Sequence, residues 1–337
     1  AKSFLNTKDL SCRALECIAE ITSQNAIPAQ LDDESYCKVL LEELTGLCSY
    51  CKVYRQMELG NILVNIASIL ISKHIGRLEM SQPMSTSLLQ LLNELYGVSF
   101  ETNSPHVLLR SLDIWETLLE HVISEEDLSS SSQRPLNEMY KTCNLGIASS
   151  ITKRLFLYTP EGQGLLPMLD DSPGSALEAL SEMHLEEHAQ GRDISELSEL
   201  DHYHSRCEEI FGLLLDVYPD NLMQTSIQHF QEVHQTYGKI FEDPSAILLN
   251  CGSGVGTISH DVSTCLRLIT RCVPKLSNAA VVSRETSQML FQFVVNIARH
   301  VLDVRAAASG TAAPGLDLEE IQKYAELNGK LAYNCLS

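Results

Sequence analysis

Apolar residues recur three or four positions apart along nearly the whole chain, which is the spacing of helices that bury one face. One example is the series Leu59, Ile62, Leu63, Ile66, Ile69 and Leu70. Strict alternation of apolar and polar residues, which would indicate strands, is almost absent. The sequence therefore predicts an all-α protein.

Proline or glycine interrupts this pattern repeatedly. The breaks fall at 25–28, 81–83, 104–105, 124–135, 218–220, 243–245, 252–256, 273–274 and 308–315. They leave about eleven helices, mostly of about 15 to 22 residues, joined by short connections in the manner of two-helix repeats. The repeats share length and apolar pattern but no recurring sequence motif, which is typical of HEAT-like repeats. We therefore predict that residues 1–337 form one α-solenoid of HEAT-like antiparallel helix pairs. A compact helical bundle is the alternative.

The charge balance limits the partners. Among 337 residues, 24 Lys and Arg stand against 44 Asp and Glu, which gives a formal net charge of −20. Such a surface repels phosphate backbones and anionic membranes, so we expect no nucleic acid partner.

Polar residues break every apolar run before the roughly 20 positions needed to cross a bilayer, which predicts a soluble protein. The chain opens with Ala1 rather than Met, and we expect a segment of a longer protein.

Eleven cysteines are scattered through the chain, mostly inside helical stretches, as Cys17, Cys143 and Cys265 are. This distribution is typical of a reducing compartment. Cys48 and Cys51 fall on one helix face and have no second pair at zinc-ribbon spacing. We interpret them as core residues rather than as metal ligands.

One segment, residues 161–201, departs from the helical rhythm. It holds eleven acids and one base, Arg192, so its charge of −10 is half of the total. Glycines and prolines break its first half, and its apolar residues suffice only for a short helix at 176–188, which predicts a long acidic connector, mobile at least in part. Two interpretations stay open: a solvated loop that keeps the solenoid soluble, or a docking surface for a basic partner. In the second case the contact residues are Asp170, Asp171, Glu178, Glu182, Glu186 and Glu187.

Within this connector, the letters HLEEH match a zinc peptidase pattern, in which two histidines one helical turn apart bind the metal and a glutamate activates water. Here the histidines are His184 and His188, and no packed surroundings are foreseen to orient their imidazoles. No Glu occurs from 243 to 284 to supply the further carboxylate. His202 and His204 could add ligands, but we expect both on a solvated helix start, where neighbouring acids favour their charged forms.

A second candidate for chemistry is the glycine-rich stretch that ends at 256. An apolar run precedes Gly252, Gly254 and Gly256, and a helix follows, which is the order of a strand, a turn and a helix that cradles a nucleotide. A second strand could end near Glu285. A parallel sheet needs further buried strands, however, and the sequence offers none. We therefore expect a bend between two helices and no cofactor, and without a G-x-S-x-G elbow no nucleophilic triad can be assigned either.

The only tryptophan, Trp115, lies in the stretch SLDIWETLLEHV at 111–122. Pro105 predicts the first turn of its helix, with Ser104 as the cap. An apolar face follows at Leu108, Leu112, Trp115, Leu119 and Val122, with Asp113, Glu116 and Glu120 on the opposite side. We interpret Trp115 as a core anchor whose indole N–H needs a partner, rather than as a ligand platform.

The same stretch carries a resemblance to a known family. SLDIWETLLEHV, preceded by Leu108 and Leu109 and followed by an acidic break, is similar to the LDIW helix of exportins in the importin-β superfamily. Three further segments resemble exportin helices and stand in the same order as in that family. LSCRALECIAEITSQNAIP precedes the LDIW helix, and PLNEMYKTCNLGIASSITKRLF and CEEIFGLLLDVYPDNLMQTSIQHFQEVHQTYG follow it. An acidic linker lies between the last two segments, as it does in exportins. The likeness extends over most of residues 8–305.

The resemblance implies a monomeric nuclear export receptor that shuttles between nucleus and cytoplasm and performs no catalysis. Such a receptor wraps protein cargo on a curved helical array and binds Ran-GTP cooperatively. In one branch of the family, the cargo is actin bound to profilin. The family's first repeats, which contribute strongly to Ran binding, are missing from this sequence, so a central segment that binds Ran weakly or not at all by itself is implied. A HEAT-type scaffold for another assembly is the alternative, and a zinc peptidase or a nucleotide-cofactor enzyme is the remote one.

Overall fold

The structure is a computed structural model that describes residues 8–23, 33–54, 57–101, 105–128, 136–169, 199–242 and 255–276, with further helical residues between 288 and 299. Described residues lie in helices or in the turns between them, and none of them lies in a strand. The helices with defined bounds are α1 (Lys8–Ser23), α2 (Asp33–Tyr54), α3 (Met57–Leu78), α4 (Gln82–Glu101), α5 (Pro105–Leu128), α6 (Leu136–Leu155), α7 (Pro160–Leu169), α8 (Glu199–Val217), α9 (Pro219–Glu242) and α10 (Val255–Leu276). The prediction of an all-α protein is confirmed.

The chain divides into two compact units, Ala1–Ile147 and Ala148–Ser337. In the first unit, α3 packs between α1 and α5, and α2 packs beside α4. The helices α2, α3 and α4 also each pack against the helix that follows them. Each of the helices α1 to α5 therefore packs against a helix two places away along the chain, in the same layer. This two-layer stacking is the arrangement of an α-solenoid built from antiparallel helix pairs.

The helix α3 forms the core of the first unit. By length and composition alone, its stretch Leu59–Leu78 could cross a membrane, and it is the one helix among the described residues of which this is true. More than half of that stretch is buried, and α3 packs against α1, α2, α4 and α5. Leu63, Ile66 and Ile71 are fully buried there. The apolar character of α3 is thus the character of a helix surrounded by other helices.

In the second unit, α8, α9 and α10 pack against one another, and α7 packs against α8. The middle helix, α9, is strongly two-sided. Leu222, Phe230 and Val233 are buried on its inner side. Its outer side carries a row of exposed amides at Asn221, Gln224, Gln228, Gln231 and Gln235.

Several predicted breaks coincide with observed helix ends. The helix α5 begins at Pro105, α9 begins at Pro219 directly after Tyr218, and α9 ends at Glu242. Two breaks were predicted too early. The helix α5 continues to Leu128, because Glu and Leu favour a helix and polar composition alone does not end one. The helix α10 runs through Pro274 to Leu276, because a proline removes only one N–H donor and the helix continues past it.

The first part of the predicted acidic connector is a helix, which contradicts the expectation that its glycines and prolines break it. Pro160 occupies the first turn of α7, where its missing N–H is not needed. Thr159 caps the helix, since its Oγ1 accepts a hydrogen bond from the N–H of Gly162 at 3.0 Å. A Cβ at residue 162 would overlap the backbone carbonyl of Phe156, so glycine allows this turn to close. Residues 170–198, with the predicted short helix, lie outside the described residues.

Candidate functional site

Most residues predicted to bind a partner or a metal lie outside the described residues. These are Asp170, Asp171, Glu178, Glu182, Glu186 and Glu187 of the connector, and His184 and His188 of the zinc pattern. The glycine-rich stretch is described only from Val255, which begins α10. The predicted helix after the glycines is therefore observed. The predictions for the other residues stay predictions.

Cys48 and Cys51 are described, and both are core residues. Each side chain is 1% exposed, in the last turns of α2. Burial raises the pKa of Cys48 to about 12 and that of Cys51 to about 11. Both thiols are therefore protonated at neutral pH, whereas a metal ligand or a nucleophile needs the thiolate.

Trp115 is a core anchor, as predicted. Its side chain is fully buried on α5, and its indole N–H donates a hydrogen bond to Ser99 Oγ of α4 at 3.3 Å. Leu108, Leu112, Leu119 and Val122 are buried as well. Ile114 and Leu118 are also buried, so the inner face of α5 is broader than the predicted stripe. No surface remains on Trp115 for a ligand.

A carboxylate in the turn between α3 and α4 joins the ends of three helix segments in the first unit. Glu79 Oε2 lies 2.9 Å from His121 Nε2 near the end of α5. Glu79 Oε1 accepts a hydrogen bond from the phenol of Tyr140 on α6. The hydrogen bond with Glu79 raises the pKa of His121, while burial opposes that rise. Because both oxygens of the Glu79 carboxylate bond to side chains of other helices, the group explains how helices pack rather than a chemical reaction.

In the second unit, Asp261 on α10 holds the turn between α6 and α7. Its carboxylate accepts hydrogen bonds from the N–H groups of Leu157 at 2.6 Å and Tyr158 at 3.0 Å, and from the phenol of Tyr237 at 2.6 Å. Burial raises the pKa of Asp261 to about 7, and these three hydrogen bonds oppose the rise. The carboxylate thus satisfies N–H groups that follow the last turn of α6 and would otherwise be buried without an acceptor.

Beside this turn, Tyr158 links two side chains of α9. Its hydroxyl lies 2.7 Å from Glu232 Oε2 and 2.7 Å from His229 Nδ1. Burial lowers the pKa of His229, so the ring is neutral at pH 7. With the proton on Nδ1, His229 donates to the Tyr158 oxygen, and the Tyr158 hydroxyl donates to Glu232. The ring of His229 also stacks on Phe156, with centroids 5.2 Å apart.

A polar seam runs between α8 and α10, formed by His204, Glu208, His260, Thr264 and Arg267. All five side chains are buried. Arg267 Nη1 lies 2.7 Å from Glu208 Oε1, and the His204 and His260 rings meet edge to face with centroids 5.0 Å apart. His260 Nε2 lies 2.9 Å from the carbonyl oxygen of Leu155 at the end of α6.

The prediction for His204 was wrong. It expected a solvated, charged histidine, but the side chain is 1% exposed. Burial, followed by the charges of His260 and Arg267, lowers its pKa well below the usual value. The physical reason is helical spacing: His204 precedes the buried Cys207 by three positions and Phe211 by seven, so it shares their inward face.

The sequence did not lead us to predict the buried polar residues of α10, although one pattern indicated them. Asp261, Cys265, Leu268 and Cys272 follow one another at helical spacing, and all four are buried. A charged residue on an otherwise apolar stripe indicates a buried carboxylate that needs donors. The donors themselves could not be read from the sequence, because Leu157 and Asp261 are separated by 104 positions.

These described groups do not make a reactive centre. Burial raises the pKa of Tyr140, Tyr158, Tyr203 and Tyr237, and also that of Cys207, so none of them is activated as a nucleophile. In the part of the chain that the structure describes, no three His, Cys, Asp or Glu side chains are grouped so that they could hold a metal ion. The polar interior therefore orders helices.

The helical fold and the buried polar contacts together define a class of protein: a stacked-helix protein in which the described polar groups fix the packing of helices. Comparison with curated proteins finds a similarity to Exportin-6 of Dictyostelium discoideum, 22% identical over 303 residues, which is 87% of this chain and 27% of that protein. The chain thus spans about a quarter of the length of this relative. No protein-family model matches the chain, and no solved structure matches it. The similarity supports the exportin-like relationship that the LDIW helix and the order of segments predicted.

Proposed function

We propose that this chain is a protein-binding segment of a nuclear export receptor, and that it works through its helical surface without catalysis. The observation that carries the proposal is the similarity to Exportin-6 along 87% of the chain. The two-layer packing of α1 to α5 supports it, since stacked helix pairs present long surfaces suited to protein partners. The chain spans only 27% of that relative, so the similarity covers a segment, and the activity of the whole receptor is proposed along with it.

The buried groups support a binding role over an enzymatic one. Asp261, His260 and Glu79 are each occupied by backbone groups or by side chains of neighbouring helices. Thiols and phenols with raised pKa values do not supply nucleophiles at neutral pH. Stoichiometric zinc in the purified protein, lost in the variant His184→Ala, would instead favour the zinc peptidase.

The partners proposed are Ran-GTP and a protein cargo, bound together in the nucleus and released in the cytoplasm. The export receptor is expected to be a monomer that shuttles between the two compartments. Actin bound to profilin is the proposed cargo, which follows the resemblance to the exportin-6 branch. The excess of 20 negative charges favours contact with basic patches on these partners.

Binding to Ran is the first test. The natural protein that contains this segment, with its flanking sequence, is immobilised and exposed to Ran loaded with GTP or with GDP. The proposal predicts capture of Ran-GTP and much weaker capture of Ran-GDP. Equal capture of both forms, or of neither, would contradict the export function, and partners identified from a nuclear extract would then define a scaffold.

The predicted acidic contact surface needs a test with a matched control. One variant changes the six connector acids to their amides: Asp170, Asp171, Glu178, Glu182, Glu186 and Glu187. The control changes six exposed acids on described helices in the same way: Glu16, Glu20, Glu42, Glu120, Glu125 and Asp220. Each variant removes six of the negative charges from a chain whose net charge is −20, so the two variants change the net charge equally. We expect capture of profilin-bound actin to fall only in the connector variant, whereas an equal fall in both would indicate a general charge effect.

A further inference from the structure

Apart from the paired side chains of Glu208 and Arg267, three polar atoms in the seam between α8 and α10 have no hydrogen-bond partner among the described residues. They are Nδ1 of His204, Nδ1 of His260 and Oγ1 of Thr264. The side chains are 1%, 3% and 1% exposed, respectively, so bulk water does not reach them. Buried polar groups in folded proteins nearly always have a partner, from the protein or from an internal water. These three atoms therefore need a hydrogen-bond partner that the described side chains do not supply.

The side chains that carry these three atoms are neighbours in the seam. His204 and His260 meet across the two helices with ring centroids 5.0 Å apart. Thr264 follows His260 by one turn of α10, on the same side of that helix. One turn beyond it, Arg267 pairs with Glu208 of α8, which closes that end of the seam.

The protonation states define what the bound group must offer. Burial lowers the pKa of His260 to about 4 and that of His204 well below its usual value, so both rings are neutral at pH 7. His260 Nε2 carries its proton toward the carbonyl of Leu155, which leaves His260 Nδ1 as a lone pair that accepts a hydrogen bond. A group that can both donate and accept is needed, because the Thr264 hydroxyl can do either and His204 Nδ1 depends on its tautomer.

A metal ion does not fit this place. Zinc takes three or four ligands in proteins, and no three His, Cys, Asp or Glu side chains of the described residues, Glu208 included, are grouped to hold a metal ion. Arg267 also lies close enough for its positive charge to lower the pKa values of both histidines, and the same charge repels a cation. A neutral molecule of the smallest size meets the requirements.

We propose that a single internal water molecule bridges His204 Nδ1, His260 Nδ1 and Thr264 Oγ1. The water donates one hydrogen bond to His260 Nδ1. It forms a second hydrogen bond with His204 Nδ1, as donor or acceptor according to the tautomer of that ring, and a third with the Thr264 hydroxyl. Three hydrogen bonds are the usual number for a buried water. The water thereby joins α8 to α10 at a point where the described protein groups do not bond to each other.

The test is a high-resolution crystal structure of the natural protein at neutral pH, with water contacts to the histidine ring protons measured by NMR. We expect one ordered water within about 2.7–3.2 Å of all three atoms, and water contacts at both rings. Direct bonding among the three side chains with no density between them, or an anomalous metal signal there, would overturn the proposal.

Two substitutions at residue 264 separate the roles. Thr264→Ser keeps the hydroxyl and should keep the water. Thr264→Val keeps the shape of the side chain and removes the hydrogen bond, so the water should be lost or should exchange faster with bulk solvent. An unchanged water in Thr264→Val would show that Thr264 is not a ligand, and the wild-type measurement decides the proposal even if that variant fails to fold.

Discussion

Trp115 shows how much one side chain contributes to the first unit. It is fully buried and its indole bonds to Ser99, so the variant Trp115→Ala loses both apolar contact and a hydrogen bond. We expect the free energy of unfolding to fall by about 3–5 kcal/mol, measured by urea denaturation with far-UV circular dichroism. The exposed Glu120 on the same helix serves as the control, where Glu120→Ala should stay within about 0.5 kcal/mol. Full stability of Trp115→Ala with loss of one binding partner would show that the core assignment is wrong.

His260 predicts a pH dependence of stability whose sign follows from its pKa. The folded-state pKa is about 4, below the unfolded value of about 6.5, so the unfolded chain takes up a proton first as pH falls. The contribution of neutral His260 is therefore complete above about pH 6.5 and is lost progressively toward pH 4, by up to about 1.4 kcal/mol per pH unit. In His260→Gln, which can still donate to the Leu155 carbonyl, this loss should be absent.

The comparison between wild type and His260→Gln is needed because Asp261 acts in the opposite direction. Its pKa is raised to about 7, so the folded state binds its proton more readily than the unfolded state, and this adds stability as pH falls below about 7. Taking the difference between the two proteins at each pH, by urea denaturation, removes most of the Asp261 contribution. A difference that does not change between pH 7 and pH 4 would mean that His260 binds its proton equally well in the folded and the unfolded protein, which would contradict the lowered pKa.

At the scale of elements, two glycines in the first turns of α7 have different surroundings, and the turn depends on only one of them. In Gly162→Ala, the new Cβ would collide with the Phe156 carbonyl, so we expect a loss of about 1–3 kcal/mol. Gly164 has nothing within 4 Å of the corresponding position, and Gly164→Ala should stabilise α7 by about 0.5–1 kcal/mol. Urea denaturation of both variants checks the prediction. Equal effects of the two changes would contradict the close approach at residue 162.

The elements also show what a sequence can and cannot predict here. Helical spacing correctly predicted the buried face around Trp115, and the prolines correctly predicted the starts of α5 and α9, because these features depend on residues close together in the chain. Helix α7 was missed because its stability depends on a cap at Thr159 and on the fit of Gly162 against Phe156. The burial of His204 could have been predicted from its spacing to the buried Cys207 and Phe211 on the same helix. The hydrogen bonds of Asp261 join α10 to a turn about 100 positions earlier in the chain, and local patterns do not show such partners.

At the scale of the whole molecule, the proposed export function makes a thermodynamic prediction. If Ran-GTP and cargo favour the same state of the receptor, Ran-GTP must tighten cargo binding by the same factor by which cargo tightens Ran-GTP binding. Coupling of this kind is typically about 5- to 150-fold. Titrations of the natural protein with profilin-bound actin, with and without Ran-GTP, and the converse titrations measure the two factors.

Equal factors above one would support a receptor that loads both partners together. The connector variant, with its six acids changed to amides, should weaken cargo binding in the absence of Ran while leaving the affinity for Ran-GTP alone unchanged, if the acids contact cargo directly. The charge-matched control variant should change neither. A factor of one in both directions, with each partner bound, would leave a protein-binding solenoid but remove the export mechanism, because a ligand that binds all states equally cannot drive the release of another.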